Sequence, residues 1–541
     1  MWTFPLTKTK SKRNPRNEEV QGKVAGVSFF VRSATFCALR SVSPRRWTSL
    51  LCSRGIYSPD SLSIITETSP ERDTGGYLTG SWLKTSEVHL RGLNQELQKG
   101  NENPMAYKRP PDTYDVLPYP TAKEPWLHTA KWRYVEGVFR EVCKRYGYKE
   151  IRTPILEPTD LFKRTAGETT DVVSKEMFTF EDRGGRSMTM KPEGTAPVVR
   201  ACIENGVFAT HPTPKLYYIG QHFRYERGQK GRYRQHQQLG VEVFGAENPA
   251  IDAEVILLAM SFYREVGVKD QVLRINSLGI PESRVKYREA LRDYVRPFLA
   301  EMSEEGQGRF EANPLRMLDT KSPKELELLS DAPRLIDFLD TESAEHFELL
   351  QGYLNSAGVP YEIDHRLVRG FDYYTRTTFE IAGASLGAQN ALGGGGRYDG
   401  LVEACGGPKI PGIGFGLGME RCLISLEAMG VQLPIQNEET VQVFLITLGD
   451  ASLVDAPAVK LLSQLRESGI SADKSYRSRK FPQQIKEADE AGAAYTLILG
   501  DSEIERGVVQ LRNQKTKEQT EFSLEEIVSE IKKISVLTKN F

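Results

Sequence analysis

Residues 215–245 bring an amide, a carboxylate and several guanidinium groups into one short stretch, KLYYIGQHFRYERGQKGRYRQHQQLGVEVFG. Runs rich in β-branched and aromatic residues flank a basic, glycine-containing loop, which predicts two strands joined by that loop. Because side chains alternate across a strand, Gln238 and Glu242 share one face, with Gly240 between them as a floor for a small ligand. Arg224 on the first strand could meet an anion. The alternative is an exposed hairpin with an ordinary polar face.

Two further stretches place polar groups where a ligand could meet them. Glu193 and Thr195 lie at a predicted strand-to-helix junction, where side chains and unpaired backbone donors both face outward, although a helix cap would use the same residues. Arg369, Tyr373 and Tyr374 precede another predicted strand. A guanidinium group binds phosphate or carboxylate through two points, and tyrosine rings form a flat wall with a polar tip. The alternative here is an arginine packed on core aromatics.

A third stretch, residues 412–423, reads GIGFGLGMERCL and alternates glycine with large apolar residues. As a strand it would have one core face and one face without side chains, which suits a flat group such as a purine. Tight packing against another backbone is the alternative. Arg421 would project from the next helix. Neither the dinucleotide GxGxxG fingerprint nor a GxxxxGK[ST] loop is present, so a nucleotide would bind through another fold.

The elements that must position these groups are predicted from periodicity. Helices are expected over 124–146 and 250–266, and strands over 148–156 and 271–278. Pro154 inside the first of these strands predicts a place at a sheet edge or at a subunit boundary. Residues 393–396 are four glycines, which favour either a close approach to a ligand or a flexible turn. From about 281 to 358 the sequence turns helical and charged, which indicates an inserted all-α module.

The pattern changes again at residue 440. Strands and helices alternate from there to the C-terminus, with helices predicted over 457–468, 481–491 and 523–534. Such alternation predicts a compact α/β domain. Arg477, Arg479 and Lys480 cluster in one loop of this domain, which indicates either RNA contact or a solvated surface.

Composition separates the N-terminal part from the rest of the 541 residues. The first 50 residues contain ten Lys or Arg, two Glu and no Asp, which predicts an organelle transit peptide over 1–57, with a disordered basic tail as the alternative. A disordered linker is expected over 58–104, and Met105 could serve as a second start. The six cysteines have no metal-site spacing, which favours reduced thiols, and no apolar run could span a bilayer.

Together these stretches resemble the histidyl-tRNA synthetase family, class II synthetases of the bacterial and organellar type. The resemblance covers Arg109 to the C-terminus. RYGYKEIRTPILEP resembles class II motif 1, FRYERGQKGRYRQHQQLGVEVFG motif 2 and GIGFGLGMER motif 3, while RGFDYYT and ALGGGGRYDGL are similar to stretches peculiar to the histidine enzymes. The family often has Arg-Gly where this chain has Arg109-Pro110-Pro111-Asp112, a departure that leaves the local conformation there open.

The resemblance implies an α+β fold. A class II antiparallel sheet with flanking helices and a helical insertion would occupy 105–438, and an α/β anticodon-binding domain 439–541. It also implies a homodimer without membrane attachment. The composition of the N-terminal residues predicts a location in the chloroplast, the mitochondrion or both, with a cytoplasmic form possible from Met105.

The implied reaction joins histidine and ATP into histidyl-adenylate, with Mg²⁺ bridging the phosphates, and then transfers histidine to the 3′ end of histidine tRNA. Arg369 and Arg224 would be catalytic. The residues implied for ATP are Arg224, Glu226, Gly414, Gly416, Gly418 and Arg421. Those implied for histidine are Glu193, Gly194, Thr195, Gln238, Glu242, Arg369, Tyr373 and Tyr374. Arg227 and Gln229 would face the tRNA acceptor end, the inserted helices would clamp the acceptor arm, and no protein-held metal is implied.

Two rivals remain open at this point. The proline and threonine synthetases share motifs 2 and 3 and the C-terminal domain type, but not RGFDYYT. A regulatory paralogue that activates the first enzyme of histidine biosynthesis resembles the catalytic part, but lacks the C-terminal domain and several active-site arginines. The presence of Arg224, Arg369, Arg421 and residues 440–541 disfavours it.

Overall fold

The computed structural model describes residues 107–119, 123–167, 170–226, 228–383, 391–435, 440–477 and 480–539. Their elements lie in one compact unit, Lys108–Phe541. The predicted transit peptide and linker lie outside the described residues. The described strands are β1 (Lys149–Glu150), β2 (Leu156–Pro158), β3 (Phe178–Glu181), β4 (Ser187–Met190), β5 (Lys215–Phe223), β6 (Gln235–Phe244), β7 (Gln271–Ser277), β8 (Glu362–Ile363), β9 (Thr375–Gly383), β10 (Ala391–Arg397), β11 (Gly412–Gly418), β12 (Val443–Thr447), β13 (Ala472–Lys474), β14 (Tyr495–Leu499), β15 (Val508–Asn513) and β16 (Gln519–Ser523).

The α-helices of the described residues begin after the aromatic 3-10 turn Pro125–Leu127. They are α1 (Thr129–Arg145), α2 (Thr159–Ala166), α3 (Thr195–Glu204), α4 (Val207–Thr210), α5 (Pro249–Val266), α6 (Pro281–Val295), α7 (Glu304–Ala312), α8 (Pro323–Leu328), α9 (Thr341–Ser356), α10 (Leu401–Ala404), α11 (Met419–Ala428), α12 (Ala451–Glu467), α13 (Phe481–Glu490), α14 (Asp501–Arg506) and α15 (Ile527–Lys539).

An eight-stranded sheet forms the centre of the larger domain, in the order β1-β5-β6-β11-β10-β9-β7-β8. Its six inner strands pair antiparallel, while the two-residue edge strands β1 and β8 pair parallel. Short edge strands leave few unpaired backbone groups. The predicted antiparallel sheet with flanking helices is confirmed.

Strands β6 and β11 lie side by side and divide their residues between two environments. Leu239, Val241 and Val243 of β6 are buried in the main hydrophobic cluster together with Ile413 and Phe415 of β11, whose ladder is continuous. Helices α1, α5, α9 and α11 cover this apolar face. The opposite face carries the polar and glycine positions, as the alternation of the sequence predicts.

Two short strands replace the strand predicted over 148–156. The chain forms β1 at the sheet edge, makes its last hydrogen bond to β5 through the amide of Ile151, and then enters a separate small sheet as β2. Pro154, which has no amide hydrogen to donate, lies between the two strands. The edge position is as predicted, whereas a single continuous strand is not.

The stretch predicted as an inserted all-α module falls into two parts. Helices α6, α7 and α8, with the turns between them, form the insertion proper, residues 281–338. The last helix of the predicted stretch, α9, belongs with the sheet instead. Its Phe347, Leu350 and Leu354 are buried in the main cluster beneath β9 and α5.

A buried ion network ties α9 to the rest of the domain. Arg397 at the end of β10 is fully buried and pairs with Asp252 of α5, which is also fully buried. The carboxylate of Asp252 also lies 2.7 Å from Nε2 of His346 on α9. Burial alone would raise the pKa of Asp252, but the charge of Arg397 and the hydrogen bonds lower it overall.

The C-terminal domain has a five-stranded sheet in the order β13-β12-β14-β15-β16. Its apolar clusters share no residue with those of the larger domain. The predicted α/β alternation is confirmed, but β16 was not predicted. Helix α12 starts at residue 451 rather than 457 because the Asp450 side chain accepts a hydrogen bond from the amide of Ser452 at 2.8 Å. Helix α15 begins at 527, after a turn that follows Ser523.

Among the described helices, none combines the length and apolar content needed to cross a bilayer. The four cysteines in the described residues are free thiols, namely Cys143, Cys202, Cys405 and Cys422.

We predict that Asp252→Asn lowers the free energy of unfolding by about 3–5 kcal/mol, because it removes the closer of the two carboxylates that pair with the buried guanidinium of Arg397, the other being Asp399 at 3.2 Å. Urea unfolding would measure the change. Glu362→Gln is the matched control, since it removes an exposed partner of Arg274 and should cost less than about 1 kcal/mol. Equal losses in both variants would contradict a structural role for the buried network.

Candidate active site

A cavity of about 690 Å³ opens on the polar face of the large sheet. Its wall includes most residues that the sequence singled out. Those predicted residues are Glu193, Thr195, Arg224, Glu226, Gln238, Arg369, Tyr373, Tyr374, Gly416, Gly418 and Arg421. The structure therefore brings together groups from five separate parts of the chain.

Three guanidinium groups converge on this cavity. Arg224 follows β5 and donates from Nε to the carbonyl of Pro192 at 2.8 Å. Arg421 on the first turn of α11 donates to the carbonyl of Gly231 at 3.1 Å and to that of Ala391. Backbone carbonyls thus fix the direction of both side chains, and Arg224 also lies 3.8 Å from the carboxylate of Glu226.

The third group, Arg369, lies 3.5 Å from Glu380 on β9, and its guanidinium carbon is 6.0 Å from the ring centre of Tyr374. Its buried Nε has no hydrogen-bond acceptor among the described residues. An unmet buried donor carries a free-energy cost, which an anionic ligand would relieve.

Glu193 has both of the roles that the sequence left open. Its two carboxylate oxygens accept hydrogen bonds from the amides of Thr195 at 2.6 Å and Ala196 at 2.9 Å, so it caps the start of α3. It is 3% exposed yet lies on the cavity wall. Burial raises its pKa, while the amide hydrogen bonds and Arg224 oppose the rise. The carboxylate is therefore fixed by a helix end and directed at a ligand space.

The predicted open floor at Gly240 is wrong. The ring of Tyr218, its partner on β5, covers that position, and a Cβ on Gly240 would lie 2.1 Å from the ring. The same ring covers Gly194, where a Cβ would lie 2.3 Å away. These two glycines make room for a protein side chain, so Gly194 does not line the cavity as predicted.

Glu242 also differs from the prediction, because it lies beneath the cavity rather than on its wall. It is fully buried and accepts hydrogen bonds from Thr195 Oγ1 at 2.8 Å, from Tyr218 at 3.4 Å and from the hydroxyl of Tyr398. Burial raises its pKa to about 8, although these hydroxyl groups oppose the rise. Its influence on a ligand would act through Thr195 and the tyrosines.

The glycine face of β11 is divided between ligand space and protein. Gly416 and Gly418 line the cavity. At Gly412 a Cβ would lie 2.3 Å from Tyr398, and at Gly414 it would lie 1.9 Å from the Glu242 carboxylate. This corrects the prediction for Gly414, whose missing side chain leaves room for Glu242.

The chain is similar to proteins of one family over most of its length. A family model described as histidyl-tRNA synthetase matches residues 128–422, and one described as anticodon binding domain matches residues 442–534. A protein named histidine–tRNA ligase from Desulforamulus reducens is 49% identical over 428 residues, 79% of this chain and 99% of the relative. Another with that name, from Anoxybacillus flavithermus, is 48% identical and covers 80% of this chain and 100% of the relative.

The chain belongs to the histidyl-tRNA synthetase family. A crystal structure of apo S. aureus histidyl-tRNA synthetase superposes with a TM-score of 0.65 at 42% identity, covering 79% of this chain and 100% of that chain. These matches confirm the predicted class II fold with its C-terminal anticodon-binding domain. They also confirm the enzyme class, an aminoacyl-tRNA synthetase that acts as a ligase, and do not favour the regulatory paralogue.

Two tyrosines of the synthetase site were missed by the sequence analysis. Tyr218 lies opposite Gly240, and the amide of Tyr398 donates to the carbonyl of Gly412 at 2.8 Å. The position of Tyr218 could have been predicted from the sequence. In an antiparallel pair of strands, a tyrosine directly opposite a glycine can lay its ring over that glycine. Tyr398 adjoins the four glycines of β10, and its position needed the strand register.

The motif 2 loop joins the site to the N-terminal segment. Arg227 lies outside the described residues, and Gln229 pairs with Arg232 through backbone hydrogen bonds of 2.8 and 3.3 Å. Asp112, within the unusual Arg-Pro-Pro-Asp sequence, has a φ of +58° and lies 3.2 Å from Arg234. The departure from the family pattern therefore contacts the loop, though not a predicted catalytic residue.

We predict that Glu242→Gln flattens the pH dependence of stability. The unfolded chain loses the Glu242 proton near pH 4.5, whereas the folded chain holds it to about pH 8. In wild type, the contribution of protonated Glu242 to the free energy of unfolding is therefore fully present below pH 4.5. It is lost as the pH rises from 4.5 to about 8, by about 1 kcal/mol per pH unit.

Urea unfolding across that pH range would measure the slope for wild type and variant, with Glu362→Gln as an exposed control. Parallel curves for wild type and Glu242→Gln would contradict a raised pKa at this position.

Proposed function

We propose that the chain activates histidine with ATP to histidyl-adenylate and pyrophosphate, and then transfers the histidyl group to the 3′ end of histidine tRNA with release of AMP. The supporting observation is that Arg224, Arg369 and Arg421 line the same cavity as an acidic and amide-bearing pocket. The proline and threonine synthetases are the alternative within the fold, and the matches to histidine–tRNA ligases disfavour them.

The chemical problem of the first step is repulsion between two anions, because a carboxylate must attack the α-phosphate of ATP. Fixed positive groups can lower this barrier without reorganising during the reaction. Arg224 would hold the α-phosphate, Arg421 the γ-phosphate, and Arg369 the charge that develops between carboxylate and α-phosphate. Alignment of the two reactants supplies the rest of the acceleration.

The base and ribose of ATP would lie over Gly416 and Gly418, where the sheet offers bare backbone. Mg²⁺ binds through one or two carboxylates together with phosphate oxygens. Glu226 and Glu380 on the cavity wall, which pair with Arg232 at 3.2 Å and with Arg369 at 3.5 Å, would hold the ion, which would neutralise phosphate charge.

Histidine would occupy the pocket walled by Glu193, Thr195 and Gln238 on one side and by Tyr373 and Tyr374 on the other. The first group would receive the α-ammonium and the tyrosines the imidazole. The role of the tyrosines is supported by their hydrogen bonds, because Tyr374 is linked to Tyr373, Tyr373 to Thr195, and Thr195 to the buried carboxylate of Glu242. A pocket that pairs polar ring atoms rejects apolar isosteres strongly, since the unpaired groups would be costly.

We predict that Arg369→Ala lowers histidine-dependent ATP–pyrophosphate exchange by at least about 100-fold, since one charge-stabilising group is lost. Histidine binding, measured by calorimetry, should weaken only modestly. Arg334→Ala is the control, because Arg334 is not among the residues that line the cavity and pairs with Asp337 on the exposed surface. Intact exchange in Arg369→Ala would refute the proposed role.

The tRNA would be read by the C-terminal domain, with Arg227 and Gln229 near its acceptor end. The separate apolar clusters of that domain support a modular role.

We predict that removing residues 440–541 leaves pyrophosphate exchange at least partly active while tRNA charging falls by more than about 10-fold, because phosphate and base contacts are lost. Full charging by the shortened chain would contradict an anticodon-binding role.

Two further properties are proposed. The exposed Ile155 and Leu156 of motif 1, near edge strand β1, support a homodimer, and a monomer in sedimentation velocity would contradict it. The basic, acid-poor start of the chain supports targeting to the chloroplast, the mitochondrion or both, with Met105 opening a cytoplasmic form. A fluorescent reporter behind residues 1–104 tests this, and a purely cytosolic signal would contradict it.

A further inference from the structure

Two arginines of the insertion hold the backbone of the segment 369–374, which carries Arg369, Tyr373 and Tyr374. Near its start, Nη2 of Arg316 donates to the carbonyl of Gly370 at 2.6 Å. At its end, Nη1 of Arg284 donates to the carbonyl of Tyr374. Arginine side chains of the insertion therefore bind the backbone of this segment at both of its ends.

The middle of the segment is held from two sides at Asp372. On the insertion side, the Asp372 carboxylate lies 3.7 Å from Arg316 and accepts a hydrogen bond from the side-chain Nδ2 of Asn313 at 3.4 Å. On the other side, its backbone amide donates to the carbonyl of Ala166 at 3.3 Å. Its carboxylate lies so close to Gly167 that a Cβ there would approach to 2.6 Å. The side chain thus fills a fitted space between two loops.

The held segment also supports neighbouring site residues. Phe371 stacks on Tyr373 with ring centres 5.2 Å apart, and the Arg224 guanidinium lies 5.6 Å from the ring centre of Phe371. Tyr374 shares a hydrophobic cluster with Leu315, Leu318 and Tyr287 of the insertion. A shift of this segment would therefore displace the tyrosine wall and the packing against Arg224 together.

Arg316 and Arg284 donate to backbone carbonyls of this segment, which indicates a positioning role. Arg284 is partly buried, and burial with nearby Arg288 lowers its pKa, so placing it there has a cost. A guanidinium group presents several donors in a rigid plane, which suits it to fixing a backbone in one conformation. Arg334, in the same insertion, instead pairs with Asp337 through two 3.0 Å contacts on the exposed surface.

We propose that Arg316 and Arg284 are positioning residues for histidine activation, so that the insertion serves the first chemical step and not only the tRNA. This proposal rests on the function proposed above. Misplacing a substrate-binding segment by about an ångström can cost about 100-fold in rate. Because Tyr373 and Tyr374 would contact histidine, the loss should fall on histidine more than on ATP.

The test compares Arg316→Ala, Arg316→Lys and the control Arg334→Ala in ATP–pyrophosphate exchange without tRNA. The expected result is a drop of about 10- to 100-fold in kcat/KM for histidine in Arg316→Ala, with a smaller change in the KM for ATP. Partial recovery is expected in Arg316→Lys, since lysine can still donate to the carbonyl of Gly370. Arg334→Ala should match wild type. Unchanged kcat/KM for histidine in Arg316→Ala, with or without loss of charging, would overturn the proposal.

Hydrogen–deuterium exchange over residues 367–376 supplies a readout that needs no activity. In the unliganded protein, amides of this segment should exchange faster in Arg316→Ala than in wild type or Arg334→Ala. Equal exchange in all three proteins would overturn the positioning role. Wild type without histidine-dependent pyrophosphate exchange would instead contradict the proposed function, while the deuterium result would still decide whether Arg316 holds the segment.

Discussion

The active site depends on the two faces of β6 and β11. One face carries large apolar side chains, and the other carries glycines together with a few polar side chains. Leu239, Val241, Ile413, Phe415 and Leu417 join the main hydrophobic cluster. This burial fixes the register, because a shift by one residue would exchange the two faces. The polar face is therefore positioned by the energetics of the apolar one.

The space above the glycines is filled in an ordered way. Tyr218 occupies the position over Gly240, Tyr398 that over Gly412, and the Glu242 carboxylate that over Gly414. Toward Gly416 and Gly418 the sheet surface opens into the cavity. Glycine on this face thus has two uses, since it admits a buried hydroxyl–carboxylate network at one end and leaves ligand space at the other.

Much of this arrangement could be predicted from the sequence, for local reasons. Alternation identified both faces of β6 and β11, and the junction at Glu193 was recognised as a helix start. What could not be predicted depends on contacts between distant residues. The pairing of Tyr398 with Glu242 needs the register of β10 against β11. The buried contact of His346 with Asp252 needs the packing of α9 on α5, and periodicity alone assigned α9 to the insertion.

In the proposed reaction, one cavity holds histidine beside a triphosphate. The decisive measurement is ATP–pyrophosphate exchange by the purified protein, with histidine, proline or threonine as the only amino acid present. We expect exchange with histidine alone. Exchange that depends on another amino acid, or none with histidine when ATP and Mg²⁺ are supplied, would contradict it.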